Sequence, residues 1–250
     1  MFKKVIKFLK NSINLLFPPK CVYCGKIVED YDTLCEDCWK KIKFIERPFC
    51  DKCSTPLPEQ VSEHDLCAKC LKEHNYFVKA RSAVIYNEES AKIILNYKFY
   101  DKIHLKKFIS KLMFNAAKDI INDIDVFIPV PLHKKRLIFR RYNQALFLAN
   151  EIAKLSNKTI IKDFLQRNKY TPPQSKLKRN ERIVNLKNNF KINEKYLKEI
   201  DNYKNLNFAI VDDVMTTGST INECIKAMNK YGIKNVYAIT FAKTLRDKNN

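Results

Sequence analysis

The sequence predicts an α/β protein in which a parallel sheet flanked by helices follows a small cysteine-rich domain. Four C-x-x-C pairs lie close together near the start of the chain, and after residue 76 apolar segments of strand length alternate with segments of helix length. Such alternation is typical of parallel sheets, because each helix covers the crossover between two strands. We therefore expect an amphipathic helix over residues 1–20, a metal-binding domain over 21–75 and a sheet domain over 76–250.

Composition excludes several classes of protein. Of the 250 residues, 46% are hydrophobic and 30% are charged, a balance that allows a buried core and excludes a disordered chain. Lysine and arginine number 47 against 27 acidic residues, and the net charge of +20 favours phosphate groups, nucleic acid or an anionic membrane surface as partners. With three glycines, the chain lacks the glycine-rich loops of dinucleotide-binding and P-loop proteins.

The first residues predict an amphipathic helix that ends at Pro18. Its apolar residues recur at helical spacing and are Phe2, Ile6, Leu9, Ile13 and Leu16. Lysines interrupt this apolar stretch throughout, so we expect a cytoplasmic protein with neither a transmembrane segment nor an export signal. The helix either packs on its own protein, which is the favoured interpretation, or lies on a membrane surface.

Eight of the nine cysteines form the four C-x-x-C pairs, which are Cys21/Cys24, Cys35/Cys38, Cys50/Cys53 and Cys67/Cys70. One pair presents two thiolates to an ion and a second pair completes a tetrahedron, so four pairs predict two zinc sites with four cysteine ligands each. Both sites are expected to be structural, because four thiolates leave no open position for catalysis. A segment of about 50 residues buries too little apolar surface to fold alone, and metal binding supplies its folding energy.

Other uses of the cysteines are less favoured. A disulfide framework needs an oxidising compartment, redox-active C-x-x-C motifs occur singly, and iron–sulfur clusters use other spacings. Short loops favour pairing the first C-x-x-C with the second and the third with the fourth. A cross-braced arrangement is the alternative, and the sequence leaves both open.

The remaining chain predicts strands and helices in alternation. The predicted strands are Ala80–Tyr86, Asp125–Val130, Thr159–Leu165, Phe208–Val211 and Val236–Ala242. The predicted helices are Ser90–Tyr97, Leu105–Asn122, Gln144–Leu155 and Ser219–Lys230. Ligands of parallel sheets bind outside the carboxyl ends of the strands, so the loops after Val130 and Val211 are the expected places for chemistry.

A distinctive segment follows the strand Phe208–Val211. It reads D-D-V-M-T-T-G-S-T over Asp212–Thr220 and leads into a helix. Small hydroxylated residues and a glycine at a helix N-terminus direct several backbone N–H groups to one spot, which suits a phosphate. Two adjacent carboxylates accept hydrogen bonds from a diol or bind Mg²⁺ through water. A plain helix N-cap is the less favoured alternative for the whole combination.

This segment resembles the phosphoribosyl pyrophosphate (PRPP) signature of type I phosphoribosyltransferases, and nearly the whole chain resembles the ComF/ComFC competence-protein family. Further matching segments are L-L-F-P-P-K-C-V-Y-C-G at Leu15–Gly25, C-E-D-C-W at Cys35–Trp39, I-P-V-P-L-H at Ile128–His133 and R-R-Y-N-Q at Arg140–Gln144. A loop matches as well, at Arg167, Thr171, Gln174, Leu177, Arg182 and Asn185. Arg141 departs from the pattern, because the family usually has glycine there.

The resemblance implies a type I phosphoribosyltransferase fold behind a double zinc ribbon, with PRPP and Mg²⁺ as ligands. It implies that Asp212 and Asp213 are catalytic and bind the ribose hydroxyls. The implied 5′-phosphate site consists of Thr216, Thr217, Gly218, Ser219 and Thr220. A flexible hood over 167–190 is expected to close over the site. Contacts to pyrophosphate or DNA are expected from Arg136, Arg140, Asn143, Gln144, Arg167, Gln174 and Arg182, although the basic stretch 134–141 also suits a solvated helix face.

Two functions stay open at this point. The favoured one, implied by the resemblance, is the handling of incoming single-stranded DNA in natural transformation, with the DNA-uptake machinery as partner. The alternative is an active transferase, in which PRPP with Mg²⁺ loses pyrophosphate through an oxocarbenium-like state and an acceptor adds. The sequence does not identify that acceptor.

Overall fold

The computed structural model describes residues 17–62, 64–73, 75–99, 105–140, 142–168 and 189–245. The predicted N-terminal helix up to residue 16, Arg141, and most of the predicted hood with Gln174 and Arg182 lie outside the described residues. Among the helices of the described ranges, none is long and apolar enough to cross a membrane.

A five-stranded, fully parallel sheet confirms the predicted α/β fold. Its strands, in spatial order, are β1 (Ala80–Ile85), β7 (Val236–Lys243), β6 (Phe208–Met215), β2 (Val126–Pro129) and β3 (Thr159–Ile160). A separate antiparallel pair joins β4 (Leu165–Arg167) to β5 (Phe190–Ile192). The last strand therefore lies between the first strand and β6.

Helices connect the strands. The α-helices are α1 (Glu36–Trp39), α2 (Ala68–Lys72), α3 (Glu88–Phe99), α4 (Leu105–Ala116), α5 (Lys134–Arg140), α6 (Gln144–Ser156) and α7 (Ser219–Asn229), and 3-10 helices span Ile121–Asp123 and Glu194–Tyr203. Apolar residues at helical spacing bury one face of α7, and Cys224 lies on that face as a core residue. The ninth cysteine is therefore a packing residue of the core.

Hydrophobic side chains pack on both faces of the sheet. Ala209 and Val211 of β6 join the cluster formed with α4 and α6, whereas Phe208 and Ile210 join the cluster formed with α7. This alternation follows from the strand period of two, which sends successive side chains to opposite faces. Because both faces are covered, the central strands are apolar almost throughout.

The predicted strand Thr159–Leu165 is wrong as one element. The chain leaves the main sheet after Ile160, and Leu165 begins β4 in the separate antiparallel pair. The turn between them is fixed by Asp163, whose carboxylate accepts hydrogen bonds from the Tyr196 hydroxyl at 2.7 Å and from Asn193 Nδ2 at 3.2 Å. These partners lie about thirty residues further along the chain, so the apolar run alone did not reveal the break.

Two predicted ends also differ from the structure. The helix predicted over Leu105–Asn122 ends at Ala116, and a 3-10 turn follows it. The strand predicted over Phe208–Val211 continues to Met215, because β6 stays in register with β7 through Asp212 and Val214. The two acidic residues therefore belong to the strand end rather than to a loop.

The cysteine-rich segment packs directly on the edge strand β1. Phe44 pairs antiparallel with Val84, Ile45 N–H donates to the Ala83 carbonyl at 3.0 Å, and Ile85 N–H donates to the Lys43 carbonyl at 2.8 Å. These contacts occupy backbone groups that an edge strand leaves unpaired. The segment is thus continuous with the core of the sheet.

A buried arginine strengthens the same junction. The Arg81 side chain is 1% exposed, and Nη2 donates to Asp119 Oδ2 at 2.6 Å. Its Nη1 donates to the Asp51 backbone carbonyl at 2.8 Å, and its guanidinium lies 5.1 Å from the Phe49 ring centroid. One cation of β1 therefore joins the cysteine-rich segment to the turn after α4.

We expect Asp119→Ala to lower the free energy of unfolding by about 3 kcal/mol, because it leaves the buried Arg81 charge with the Asp51 carboxylate, at 3.3 Å, as its one acidic partner in place of two. Asp201→Ala is the matched control, since Asp201 pairs with Lys204 at the exposed surface and such pairs contribute about 1 kcal/mol or less. Urea unfolding of both variants measures the difference. Equal losses in the two variants would contradict the importance of the Arg81 junction.

Candidate functional site

A cleft of about 530 Å³ opens at the carboxyl ends of β2 and β6. The acid pair lies on one of its walls. Asp213 is buried, and its backbone N–H donates to Asp212 Oδ1 at 2.9 Å. Burial of the Asp212 carboxylate and the adjacent Asp213 charge raise the pKa of Asp212 to about 7. One of the two acids is thus held close to its protonation point at neutral pH.

Lys98 is a site residue that sequence reasoning missed. Its ammonium lies 2.6 Å from Asp213 Oδ2, and both side chains are largely buried against the cleft. Lys98 is near the C-terminal end of α3, and in the sequence it differs in no visible way from many other lysines. Its proximity to the acid pair follows from the packing of α3 near β6, which no local pattern records.

The segment after β6 leads into α7. Gly218 is the N-cap residue of α7 with φ of +80°, a conformation that glycine adopts without the Cβ penalty of other residues. Thr216, Gly218, Ser219 and Thr220 line the cleft. Thr217 does not line it, and its hydroxyl instead hydrogen-bonds Ser219 Oγ at 2.6 Å. Four of the five residues predicted for a phosphate therefore face the cleft.

Three arginines line the cleft together with the acid pair. Arg136 and Arg140 come from α5, and Arg167 comes from β4. Burial and the Arg136 charge lower the pKa of Arg167 to about 10. Cations that face one another across a cleft favour a bound anion, because the anion offsets their mutual repulsion.

Asn143 and Gln144 line the same cleft, but their side chains also bind the protein. Asn143 Oδ1 caps α6 by accepting from Ala145 N–H at 3.1 Å, and its Nδ2 donates to the Val130 carbonyl at 3.1 Å. Gln144 is 2% exposed and donates from Nε2 to the Lys98 carbonyl at 3.4 Å. The two amides thus hold the strand exit of β2 and the end of α3 in place.

The eight predicted metal ligands form two groups. In each group the four sulfur atoms lie within 4.8 Å of one another, and the groups are Cys21, Cys24, Cys35, Cys38 and Cys50, Cys53, Cys67, Cys70. We call them the first and the second tetrad. The structure therefore pairs the C-x-x-C motifs sequentially, which is the arrangement that the short loops favour.

The sulfur spacing fits a closed zinc site. A tetrahedron with Zn–S bonds of about 2.3 Å has sulfur–sulfur edges of about 3.8 Å. Cys24 and Cys35 are 3.6 Å apart in the first tetrad, and Cys53 and Cys67 are 3.7 Å apart in the second. A disulfide needs about 2.05 Å, and all nine cysteines are free. The donor set and its spacing are those of two structural zinc ions.

The second tetrad has a buried cation beside it. Lys243 is 7% exposed, and its ammonium donates to the Cys53 carbonyl at 2.6 Å. Four thiolates around a Zn²⁺ ion would carry a net charge of −2, and the buried Lys243 would offset part of that charge. Hydrogen bonds from the other cysteines of the tetrad lower the pKa of Cys53, and the nearby charge of Lys243 lowers it further.

Comparison with known proteins agrees with this geometry. The family model of the double zinc ribbon domain matches residues 12–71, and that of the phosphoribosyl transferase domain matches residues 142–250. "Competence protein F" of Haemophilus influenzae is 30% identical over 223 residues, which cover 87% of this chain and 93% of that protein.

Two further relatives have similar coverage. "Competence protein ComFC" of Bacillus subtilis is 26% identical over 213 residues, which cover 80% of each chain. "DNA utilization protein YhgH" of Escherichia coli K12 is 23% identical over 217 residues, which cover 85% of this chain and 91% of that protein. The chain therefore belongs to the competence protein F (ComF/ComFC) family, with a double zinc ribbon followed by a phosphoribosyltransferase domain.

Proposed function

We propose that the cleft binds Mg-PRPP and that the protein handles incoming single-stranded DNA in natural transformation. The observation that carries the first part is the arrangement of charge in one cleft, where the acid pair lies with three arginines and a helix N-terminus. PRPP has the complementary groups, because its ribose diol donates hydrogen bonds and its phosphates are anionic.

Each end of the ligand has suitable partners. Asp212 and Asp213 accept hydrogen bonds from the ribose hydroxyls, and the N-terminus of α7 with Gly218 holds the 5′-phosphate. Arg136 and Arg140 then face the pyrophosphate. Mg²⁺ prefers oxygen ligands and keeps several waters, so the pyrophosphate oxygens and the nearby carboxylates are its natural partners. The hood remains part of this proposal, and Arg167 is its first residue.

The DNA role rests on charge and on the relatives' names. Two relatives are named competence proteins and one a DNA utilization protein. The net charge is +20, and Lys134 and Lys135 are exposed on α5 beside the cleft arginines. The ring of Tyr142, the aromatic residue before Asn143, packs 5.4 Å from the Phe147 ring, and its hydroxyl donates to the Tyr97 carbonyl. Because these contacts hold it against the protein, we assign it no stacking on nucleic-acid bases. We therefore assign the DNA contacts to phosphate neutralisation by the basic residues.

A transferase acting on an unidentified acceptor is the second candidate. The pKa of Asp212 favours it, because a group that titrates near 7 is suited to act as a general base at neutral pH. In that case Asp212 accepts a proton from the incoming acceptor while the cleft arginines stabilise the leaving pyrophosphate. Release of pyrophosphate that depends on an acceptor distinguishes this function from binding alone.

We also propose two structural zinc ions per chain, one in each tetrad. Native mass spectrometry of protein purified without chelator should show two, because both tetrads have the donors and spacing of closed sites. Cys224→Ala is the control, since Cys224 belongs to neither tetrad, and it should keep both ions. Reduced, folded protein without zinc would contradict the proposal.

The domain boundary after residue 75, between the metal-binding domain and the sheet domain, stays a prediction.

Mg-PRPP should bind at one site per chain in isothermal titration, and Asp212→Asn with Asp213→Asn should weaken it at least about tenfold by removing charge-assisted hydrogen bonds. Affinity should rise between pH 6 and pH 8, because the pKa of Asp212 is raised to about 7 and its ionised form is the stronger acceptor for the hydroxyls of the diol. Asp212→Asn alone should lose this part of the pH dependence and keep the part due to phosphate ionisation. Identical pH profiles would contradict the role of Asp212.

Single-stranded DNA should bind with an affinity that falls steeply with salt. Lys134→Gln with Lys135→Gln should flatten the log–log slope by about 1.4, since each lost phosphate contact removes about 0.7. Lys198→Gln with Lys234→Gln is the matched control, because these exposed lysines precede β6 and β7 at the opposite edge of the sheet. Equal slopes in the two double variants would contradict a DNA site on α5.

A further inference from the structure

A lysine inside the second tetrad reaches the phosphate loop, which we define as residues 216–220. Lys69 lies between Cys67 and Cys70 on the five-residue helix α2. Its ammonium donates to the Thr217 backbone carbonyl at 2.9 Å, across 148 residues of sequence. The side chain is 28% exposed, so solvent only partly screens this charge-assisted hydrogen bond.

This contact fixes the orientation of one peptide unit. The Thr217 carbonyl and the Gly218 N–H belong to the same trans peptide and point in opposite directions. Gly218 lines the cleft and Thr217 does not. Holding the carbonyl on the zinc-ribbon side therefore keeps the N–H turned to the other side, where an anion needs it. Glycine adopts the φ of +80° at Gly218 without a steric penalty, which makes this peptide orientation accessible. Because glycine adopts negative φ as readily, the peptide also rotates easily out of this orientation unless a contact holds it.

A second set of hydrogen bonds holds the start of α7. Asn222 Oδ1 accepts from Tyr76 N–H at 3.3 Å, and its Nδ2 donates to Asn75 Oδ1 at 3.4 Å. Asn75 is buried and donates in turn to Cys70 Sγ at 3.6 Å. Asn222 N–H closes the first turn of the helix by donating to the Gly218 carbonyl at 2.9 Å. Lys69 therefore links the second tetrad to the peptide before Gly218, and the chain of hydrogen bonds through Asn75 and Asn222 links it to the carbonyl of Gly218.

We propose that Lys69 is a positioning residue for anion binding, which presents the Gly218 N–H to the phosphate by holding the Thr217 carbonyl. Asn222 supports the same loop from the first turn of α7. The ligand in this inference is the 5′-phosphate of PRPP, so the inference rests on the proposed function. It adds that the double zinc ribbon is a working part of the phosphate site, in which α2 supplies the frame and Lys69 supplies the contact.

The three glycines of the chain allow a direct test that needs no ligand. Protein labelled with ¹⁵N-glycine gives one amide signal each for Gly25, Gly218 and Gly232, and Gly218→Ala identifies the second by its loss. Lys69→Ala should move the Gly218 signal and leave the other two in place. Lys72→Ala is the matched control, because it removes the same charge from an exposed position on the same helix and should move none.

The binding measurement follows on the same variants. Lys69→Ala should weaken Mg-PRPP by about 10- to 100-fold with zinc content unchanged, Lys69→Arg should restore most of the affinity, and Lys72→Ala should bind like the wild type. A Gly218 signal that stays in place in Lys69→Ala, or moves equally in Lys72→Ala, overturns the inference. So does unchanged Mg-PRPP affinity in Lys69→Ala while the wild type binds.

The two proposals fail in different ways. If the wild type does not bind Mg-PRPP but the Gly218 signal moves only in Lys69→Ala, the proposed ligand is wrong and the contact between Lys69 and the loop stands. If the wild type binds and Lys69→Ala binds equally well, the ligand stands and the positioning role is wrong. The amide signal and the titration therefore separate the failure of one from the failure of the other.

Discussion

The position of β6 between β2 and β7 is the constraint on which the site depends. Parallel strands end at one edge of the sheet, so this edge collects the acid pair of β6, the segment that follows β2 and Thr244 after β7. Two adjacent carboxylates beside a buried core are unfavourable by themselves. The apolar burial of β6 and β7 holds them there, and Lys98 offsets part of their charge. The fold thus stabilises an arrangement that the acidic residues alone disfavour.

The sequence predicted the parts of this molecule that depend on short-range patterns. The spacing of the cysteines indicates both tetrads, and the alternation of strand and helix indicates the sheet. Lys98 escaped prediction because its role arises from where α3 ends relative to β6. The break after Ile160 escaped it because the partners of Asp163 come from a distant segment. Arg167 was assigned to a loop, yet pairing with Phe190 places it on a strand.

The double zinc ribbon packs against the sheet and shares its hydrophobic core. Phe44 pairs with the edge strand, Arg81 links the ribbon to the turn after α4, and Lys243 of β7 donates to the backbone carbonyl of Cys53 beside the second tetrad. An independent domain that is joined to its neighbour by a flexible linker makes few such contacts. The ribbon and the sheet therefore share contacts, which couple the stability of the two parts.

The strand order has a consequence for the order in which the protein assembles. β1 is made early, but its only strand partner among the described residues is β7, the last strand of the sheet. The Lys243 ammonium also reaches the second tetrad across 190 residues. During synthesis the four C-x-x-C pairs emerge before β7, so the edge against which the ribbon packs is completed only after β7 has left the ribosome. Until β7 is available, the β1 edge against which the ribbon packs has no strand partner among the described residues.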